Sequence, residues 1–345
     1  MVQHVNRIVA ATAVSLSLAL VASGCSSGAS EPSSTGSSAA AQKPLTITLV
    51  VGSSSDPFFQ AMKQGATQEA QAEGNVTVKY QGDATTYSPA TQIPIVNQIL
   101  AQSPDGLMLA PTDPVALQAS VTRAAASKIP VVLVDSKVND LSKVTSFITG
   151  DNQDGGAKAA DALATALGYA SGKTYQVAVG LTSATATTNT DRLAGFKAQL
   201  AAKYPGIQIV TTGYSQANPK TANSNINNWL TAYPDLAGIF AIDGTNAQGA
   251  AAALQAKGLV GKVKLIGYDA YKTNVDLLRQ GVFTALVSQQ PAEEGKQAVQ
   301  TLTKYIRSGG SSDGIQAAVT LPNIILTKDT SADDLTKATY VESAS

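Results

Sequence analysis

From residue 45 onward, short apolar runs alternate with longer segments of helical periodicity. The run at residues 45–51, Leu-Thr-Ile-Thr-Leu-Val-Val, is rich in β-formers, and Val-Val-Leu-Val at 131–134 is typical of a strand covered on both faces. Helical segments such as residues 114–127 and 247–257 lie between such runs. Because strands and helices of this length alternate, the sequence predicts right-handed βαβ units, parallel sheets and therefore an α/β fold.

The same order of elements occurs twice along the chain. A strand from Gly106, an Ala-rich helix and a strand that ends before Asp135 form the first copy. A strand from Gly238, an Ala-rich helix and a strand that ends before Asp269 form the second. Two Rossmann-like lobes are therefore predicted.

Acidic residues follow predicted strands in both halves of the chain, at Asp56, Asp135, Asp243 and Asp269. A single acid at a strand end usually caps a helix or forms a turn, and that interpretation stays open for each residue alone. In open parallel sheets, however, ligands bind beyond the carboxyl ends of the strands. Four acids in equivalent positions favour a shared polar cleft.

The N-terminal residues have a different pattern. Arg7 precedes an apolar stretch at residues 8–21, and small residues then lead to Cys25. This pattern predicts an export signal over residues 1–24, since the stretch is shorter than the roughly 20 residues that span a bilayer. The run Val-Ala-Ser-Gly-Cys resembles a bacterial lipobox, which implies that Cys25 is lipidated. A plain secreted protein with an incidental cysteine is the alternative.

Residues 25–43 are dominated by Ser, Gly and Ala and have no hydrophobic periodicity. Such a segment cannot form a packed element, so it predicts a flexible tether between the lipidated cysteine and the folded lobes. The expected location is extracytoplasmic, with the protein anchored to the cell membrane through Cys25.

Composition excludes several classes of function. The net charge is zero and charged residues make up 14% of the chain, so nucleic-acid binding has no electrostatic support. The one histidine, His4, lies in the export signal, and the one cysteine is Cys25. Ser-His-Asp catalysis, Cys-His catalysis and His- or Cys-based metal sites are therefore excluded from the mature chain. A binding protein without enzyme activity, cofactor or metal is expected.

Six short motifs follow one another in a fixed order: residues 56–59 (Asp-Pro-Phe-Phe), 105–114, 129–135, 192–196 (Arg-Leu-Ala-Gly-Phe), 267–269 (Gly-Tyr-Asp) and 289–291 (Gln-Gln-Pro). Together they resemble the ribose-type periplasmic binding proteins of ABC sugar importers over about residues 45–326. The resemblance implies the type I periplasmic binding protein fold, in which two lobes are joined by a three-strand hinge.

The resemblance also implies how the chain is divided. The N-terminal lobe would comprise residues 44–149 plus 290–318, and the C-terminal lobe residues 150–289 plus 319–345. The chain would cross between the lobes near residues 149–151, 289–291 and 318–321.

Carried over position by position, the family pattern implies ten ligand-binding residues: Asp56, Phe58, Phe59, Asp135, Ser136, Arg192, Asp243, Tyr268, Asp269 and Gln289. The acids, the arginine and the glutamine would bind sugar hydroxyls, and the aromatic residues would pack on the sugar faces. Either Phe58 or Phe59 could instead be a core residue, because consecutive helical positions point about 100° apart.

Three positions depart from the ribose-binding pattern. Ser136 stands where an Arg is expected, Ala110 replaces an Asn, and Ala217 replaces an aromatic residue. These changes remove donors and a stacking surface, so ribose itself is not the expected ligand. A larger sugar or an acyclic polyol fits better, and four acids against one Arg also admit a ligand with an amine.

The expected function is that of a lipid-anchored, monomeric receptor that captures a sugar or sugar-like ligand by cleft closure and delivers it to an ABC permease and its ATPase. A polyol or amine receptor that serves a sensor instead of a transporter is the alternative. A sugar-responsive repressor is disfavoured by the export signal. A carboxylate glycosidase built on Glu293 and Glu294 is also disfavoured, because two acids at a helix start are better explained as surface capping.

Overall fold

Two six-stranded sheets organise residues 43–341, which are the residues that the computed structural model describes. In spatial order the first sheet contains β11 (Ala318–Leu321), β5 (Ser146–Gly150), β4 (Val131–Val134), β3 (Gly106–Leu109), β1 (Leu45–Val50) and β2 (Val76–Gln81). The second contains β12 (Ile324–Leu326), β10 (Ala285–Ser288), β9 (Lys264–Tyr268), β8 (Leu236–Ala241), β6 (Tyr175–Leu181) and β7 (Ile207–Tyr214).

Every pair of neighbouring strands is parallel except β10 and β12, which are antiparallel. The predicted α/β fold with two lobes and parallel sheets is therefore confirmed, with one antiparallel edge strand added. All residues of β3 and β4 are buried, as their continuous apolar runs predicted.

Helices cover both faces of the two sheets. The first lobe contains α1 (Pro57–Glu73), α2 (Pro89–Ala101), α3 (Gln118–Ala126) and α9 (Pro291–Arg307). The second contains α4 (Asn152–Leu167), α5 (Thr187–Lys203), α6 (Pro219–Ala232), α7 (Gly244–Lys257) and α8 (Lys272–Arg279), and α10 (Ala332–Ala338) lies near the end of the chain. Within residues 43–341, no helix is long and apolar enough to cross a membrane.

Helices α1 and α9 pack closely because each has a glycine at the contact. A Cβ atom on Gly65 would lie 1.9 Å from the carbonyl oxygen of Ala292, and one on Gly295 would lie 2.1 Å from that of Met62. Larger residues at either position would force the helices apart. This contact fixes the start of α9, which carries Glu294, against α1.

The chain passes between the sheets three times: from β5 to α4, from β10 to α9, and from β11 to β12. The first two crossings lie at residues 150–152 and 288–291. The third lies between Leu321 and Ile324, because β11 pairs with β5 as far as Leu321.

Candidate functional site

A cavity lies between the two lobes, beyond the carboxyl ends of several strands. Its lining comes from both lobes and comprises Asp56, Phe58, Phe59, Tyr87, Asp135, Thr182, Thr188, Asn189, Arg192, Ala217, Asp243, Asp269 and Gln289. It offers about 50 Å³ to the centres of water molecules, and one water needs roughly 10–15 Å³ on that measure. The cavity therefore has the size of one small solute.

Eight of the ten residues expected to bind ligand line this cavity. Phe58 and Phe59 both do so, with ring centroids 5.2 Å apart and ring planes at 82°. Neither side chain is therefore confined to the core.

Ser136 and Tyr268 do not line the cavity, contrary to expectation. The Ser136 hydroxyl donates to the carbonyl oxygen of Pro111 at 2.8 Å and is buried. Tyr268 is fully buried at the end of β9, where its ring lies under the guanidinium of Arg192 at 3.9 Å. Asp269, the residue after β9, has a left-handed backbone and lines the cavity, whereas Tyr268 does not.

The sequence did not predict four of the lining residues: Tyr87, Thr182, Thr188 and Asn189. Thr182 directly follows β6, so the position of a strand end could have indicated it. Thr188 and Asn189 lie in the first turn of α5, and Tyr87 lies in the loop between β2 and α2. No strand-end pattern marks those three positions.

Arg192 is held in place by neutral partners in the second lobe. Its Nε donates to Oδ1 of Asn152 at 2.8 Å, and Nη1 donates to the carbonyl oxygen of Ile242 at 3.0 Å. Burial alone would lower the pKa of Arg192, but Tyr268, Asp269 and the other acids raise it. The guanidinium is therefore a charged, preoriented donor at the cavity wall.

Asp269 links the cavity to the second lobe and to the hinge. It has a left-handed backbone with φ of 69°. Oδ2 accepts from the backbone N–H of Gly244 at 2.8 Å, and Oδ1 accepts from Nε2 of Gln289 at 2.7 Å and the hydroxyl of Tyr340 at 3.1 Å. Donors of the protein thus occupy both oxygens of this carboxylate.

The carboxyl of Asp135, unlike that of Asp269, has no hydrogen-bond donor among the described residues. Its backbone is also left-handed, with φ of 62°, and its N–H donates to the carbonyl oxygen of Ile148 at 2.9 Å and to Oε2 of Glu294 at 3.0 Å. The side-chain carboxyl accepts no hydrogen bond from the residues that the structure describes, although Asp135 is only 7% exposed. Burial raises the pKa of Asp135 to about 7, against the lowering effect of Arg192.

Glu294 corrects an expectation from the sequence. It was expected to cap the helix at the surface, but it is fully buried beside Asp135, and only Glu293 is partly exposed. Burial and the neighbouring Asp135 raise the pKa of Glu294 well above its ordinary value. The two buried carboxyls therefore resist being ionised together.

The other two acids serve as helix caps as well as lining residues. Asp56 caps α1 through the N–H of Phe58 at 2.9 Å and also accepts a hydrogen bond from the hydroxyl of Tyr271. Asp243 caps α7 through Asn246 and accepts from the hydroxyl of Thr182 at 2.8 Å. Burial raises the pKa of Asp56 to about 7 and also raises that of Asp243.

No metal site accompanies these acids. Among residues 43–341, no group of three or more His, Cys, Asp or Glu side chains is arranged to hold a metal ion. The wall of the cavity thus offers carboxyl acceptors, one guanidinium, hydroxyls, amides and two phenyl rings, which is the chemistry that a polyhydroxylated solute needs.

The family model of the periplasmic binding protein domain matches residues 47–311. The chain belongs to the periplasmic binding protein family. This membership confirms the resemblance noted in the sequence, the two-lobe fold and the expectation of a binding protein in place of an enzyme. It also establishes an extracytoplasmic location.

Characterised relatives are similar over most of their length. The ribose import binding protein of Bacillus subtilis (strain 168) is 30% identical over 272 residues, which cover 78% of this chain and 83% of the relative. The D-ribose/D-allose-binding protein of Pseudomonas aeruginosa is also 30% identical over 272 residues, covering 77% and 83%.

Solved structures of the family match the fold. An ABC transporter solute-binding protein of Agrobacterium vitis bound with α-D-tagatopyranose superposes with a TM-score of 0.79 at 29% identity, covering 86% of this chain and 100% of that one. A second protein of the same organism, with bound D-fucose, gives a TM-score of 0.80 at 27% identity and the same coverages.

Proposed function

We propose that this periplasmic binding protein captures one monosaccharide, or a polyol of similar size, between its lobes and delivers it to an ABC permease. The observation that carries the proposal is the small cavity whose charged and aromatic lining comes from both lobes. A solute that contacts both walls stabilises the closed arrangement over an open one.

Hydrogen bonds join the lobes in the closed arrangement. Tyr271 of the second lobe donates to Asp56 of the first. The backbone N–H of Lys137 in the first lobe donates to the hydroxyl of Thr187, at the start of α5, at 3.1 Å. Both contacts would break if the lobes rotated apart about the three crossings, so closure and ligand capture are coupled.

The ligand is a sugar or polyol other than ribose. Ala217 lines the cavity and offers no aromatic ring, and the Ser136 hydroxyl is occupied by Pro111. The aromatic surface in the lining therefore comes from Phe58, Phe59 and Tyr87. The relatives, which are named for ribose and allose, support the class of ligand and not its identity.

Three further features belong to the proposal. The folded lobes, divided at the crossings described above, act as a monomer. The export signal and Cys25, which lie outside the described residues, supply a lipid anchor to the cell membrane. A permease with its ATPase is the receiving partner, whereas a sensor that reads the same closed form is the alternative.

A thermal-shift screen of the mature protein against pentoses, hexoses and polyols tests ligand capture. A ligand at a hundred times its Kd stabilises the folded state by about 2.7 kcal/mol, which is readily measured. Absence of a shift with every sugar and polyol would contradict the proposal. Palmitate labelling of the wild type and of Cys25→Ser tests the anchor, and sugar uptake in a deletion strain separates transport from sensing.

A further inference from the structure

The charges on the cavity wall do not balance. Four carboxyl groups line it, from Asp56, Asp135, Asp243 and Asp269, and Arg192 is the one Lys or Arg side chain in the lining. A fifth carboxyl, that of Glu294, is buried behind Asp135. A neutral ligand would leave this excess of acids without a compensating positive charge.

Two of the four lining acids are satisfied by the protein itself. Donors of Gly244, Gln289 and Tyr340 bind both oxygens of Asp269. Asn246 and Thr182 bind both oxygens of Asp243. These carboxylates need no partner from a ligand, and the excess charge therefore concerns the other two.

Asp135 is the unsatisfied acid. It is 93% buried and lines the cavity, yet its carboxyl group has no hydrogen-bond donor among residues 43–341. Buried polar groups are nearly always paired, and an unpaired carboxylate is the costliest kind of exception. A donor brought by the ligand would remove this cost.

Asp56 lacks a positive neighbour. Its Oδ1 accepts from Phe58 and Tyr271, whereas Oδ2 accepts from no residue that the structure describes. The charged groups that act on it are the carboxyls of Asp269 and Asp243, which are of the same sign. An ammonium group would bind here with three donors and a compensating charge.

We propose that the ligand carries a protonated amine next to its hydroxyl groups, so that an amino sugar or amino polyol binds better than its neutral counterpart. This inference rests on the proposed function and narrows its class of ligand. The ammonium pairs with the free carboxyl oxygen of Asp56, the acid without a positive neighbour. Asp135, which lies beside the charge of Arg192, binds the hydroxyls together with Arg192 and the amide of Gln289.

Binding of an ammonium group should also release protons from the cavity wall. Burial raises the pKa of both Asp56 and Asp135 to about 7, so each carboxyl is partly protonated near neutral pH. A bound ammonium beside Asp56 favours the ionised form of that carboxyl and expels its proton. A neutral sugar donates hydroxyl hydrogen bonds to the carboxyls but brings no positive charge, so it should release fewer protons than its amine counterpart.

Titration calorimetry of the mature protein at pH 7 tests this with three matched pairs: glucosamine and glucose, galactosamine and galactose, and glucamine and glucitol. We expect at least one amine to bind about tenfold or more tightly than its partner. Repeating the titration in buffers of different ionisation enthalpy should show net proton release for the amine.

Asp56→Asn keeps the acceptor oxygen that caps α1 and removes the charge, so it should reduce the ratio of amine to neutral affinity. Asp313→Asn is the matched control, because Asp313 is exposed and far from the lining residues in sequence and contact. Equal or tighter binding of the neutral member in every pair, without proton release, would overturn the inference and leave the proposed function standing. If no sugar, polyol or amine binds, both fail.

Discussion

The hydroxyl of Tyr271, on the second lobe, donates a hydrogen bond to the carboxyl of Asp56, on the first lobe, across 215 residues of sequence. The same carboxyl caps α1 and faces the cavity. One residue thus connects the local structure of a helix start, the contact between lobes and the candidate ligand site.

The Tyr271→Phe variant tests whether this contact holds the lobes closed. It removes one hydrogen bond to a charged group and keeps the ring, so closure should become less favourable. We expect the Kd for the ligand to rise about tenfold. Calorimetry gives the Kd, and small-angle scattering should show that the ligand-free variant is more open than the wild type.

Tyr214→Phe is the matched control for that experiment. Tyr214 is 45% exposed at the end of β7 and does not line the cavity. Its variant should bind like the wild type. Equal Kd values for all three proteins would mean that the Tyr271 contact contributes nothing to closure.

The buried carboxyl of Glu294 positions Asp135, according to the 3.0 Å hydrogen bond from the Asp135 N–H. Glu294→Ala removes that acceptor and leaves a cavity beneath a left-handed turn, so it should destabilise the protein by about 2–4 kcal/mol. Glu294→Gln keeps an acceptor of the same size and should be close to wild type. Urea unfolding at pH 7 measures both.

A role in catalysis would give a different result. If Glu294 were an acid or base of a glycosidase, Glu294→Gln would abolish turnover of a bound glycoside. We expect no turnover in the wild type either, and a wild type that hydrolyses a glycoside would contradict the binding function.

The sheets were predictable because their signals are local in the sequence. Continuous apolar runs such as residues 131–134 mark strands covered on both faces, and glycines and acids mark their ends. Acids at the ends of parallel strands meet at one edge of a sheet, which is why the sequence alone could assign Asp135, Asp243 and Asp269 to one cleft.

Other features depend on tertiary packing. Whether Tyr268 or Asp269 faces the cavity depends on how the chain turns after β9, where Asp269 has a left-handed backbone. Tyr340 contacts Asp269, which is 71 positions away, and no local pattern indicates it. Two acids at a helix start fit surface capping equally well, and only the packing of α9 against the first sheet buries Glu294.

The pH dependence of stability follows from the raised pKa values of Asp56 and Asp135, both about 7. In the unfolded chain these carboxyls ionise near their ordinary pKa of about 3.9. Between about pH 4 and pH 7 the folded protein therefore binds more protons than the unfolded chain, and its stability falls as the pH rises through that window.

Urea unfolding of the ligand-free protein should accordingly give a larger free energy at pH 5 than at pH 8. The Asp135→Asn variant cannot ionise at this position, so its free energy should change less between the two pH values. Asp313→Asn should keep the wild-type dependence. If the free energy of unfolding changed by the same amount between pH 5 and pH 8 in the wild type and in Asp135→Asn, the role of Asp135 would be contradicted.

Arg192 should tolerate no replacement by another cation. Its Nε and Nη1 are fixed by Asn152 and Ile242, and its Cζ lies 3.9 Å from the centroid of the Tyr268 ring. The ammonium of Arg192→Lys keeps the charge but cannot reproduce this fork, so the ligand loses a directed donor. We expect the Kd to rise about tenfold to a hundredfold.

Calorimetry should show this loss of affinity in Arg192→Lys and not in the control Arg123→Lys. Arg123 lies on the exposed face of α3, and of the two arginines only Arg192 lines the cavity. Equal binding by Arg192→Lys and the wild type would show that charge alone, without the planar geometry, suffices at this position.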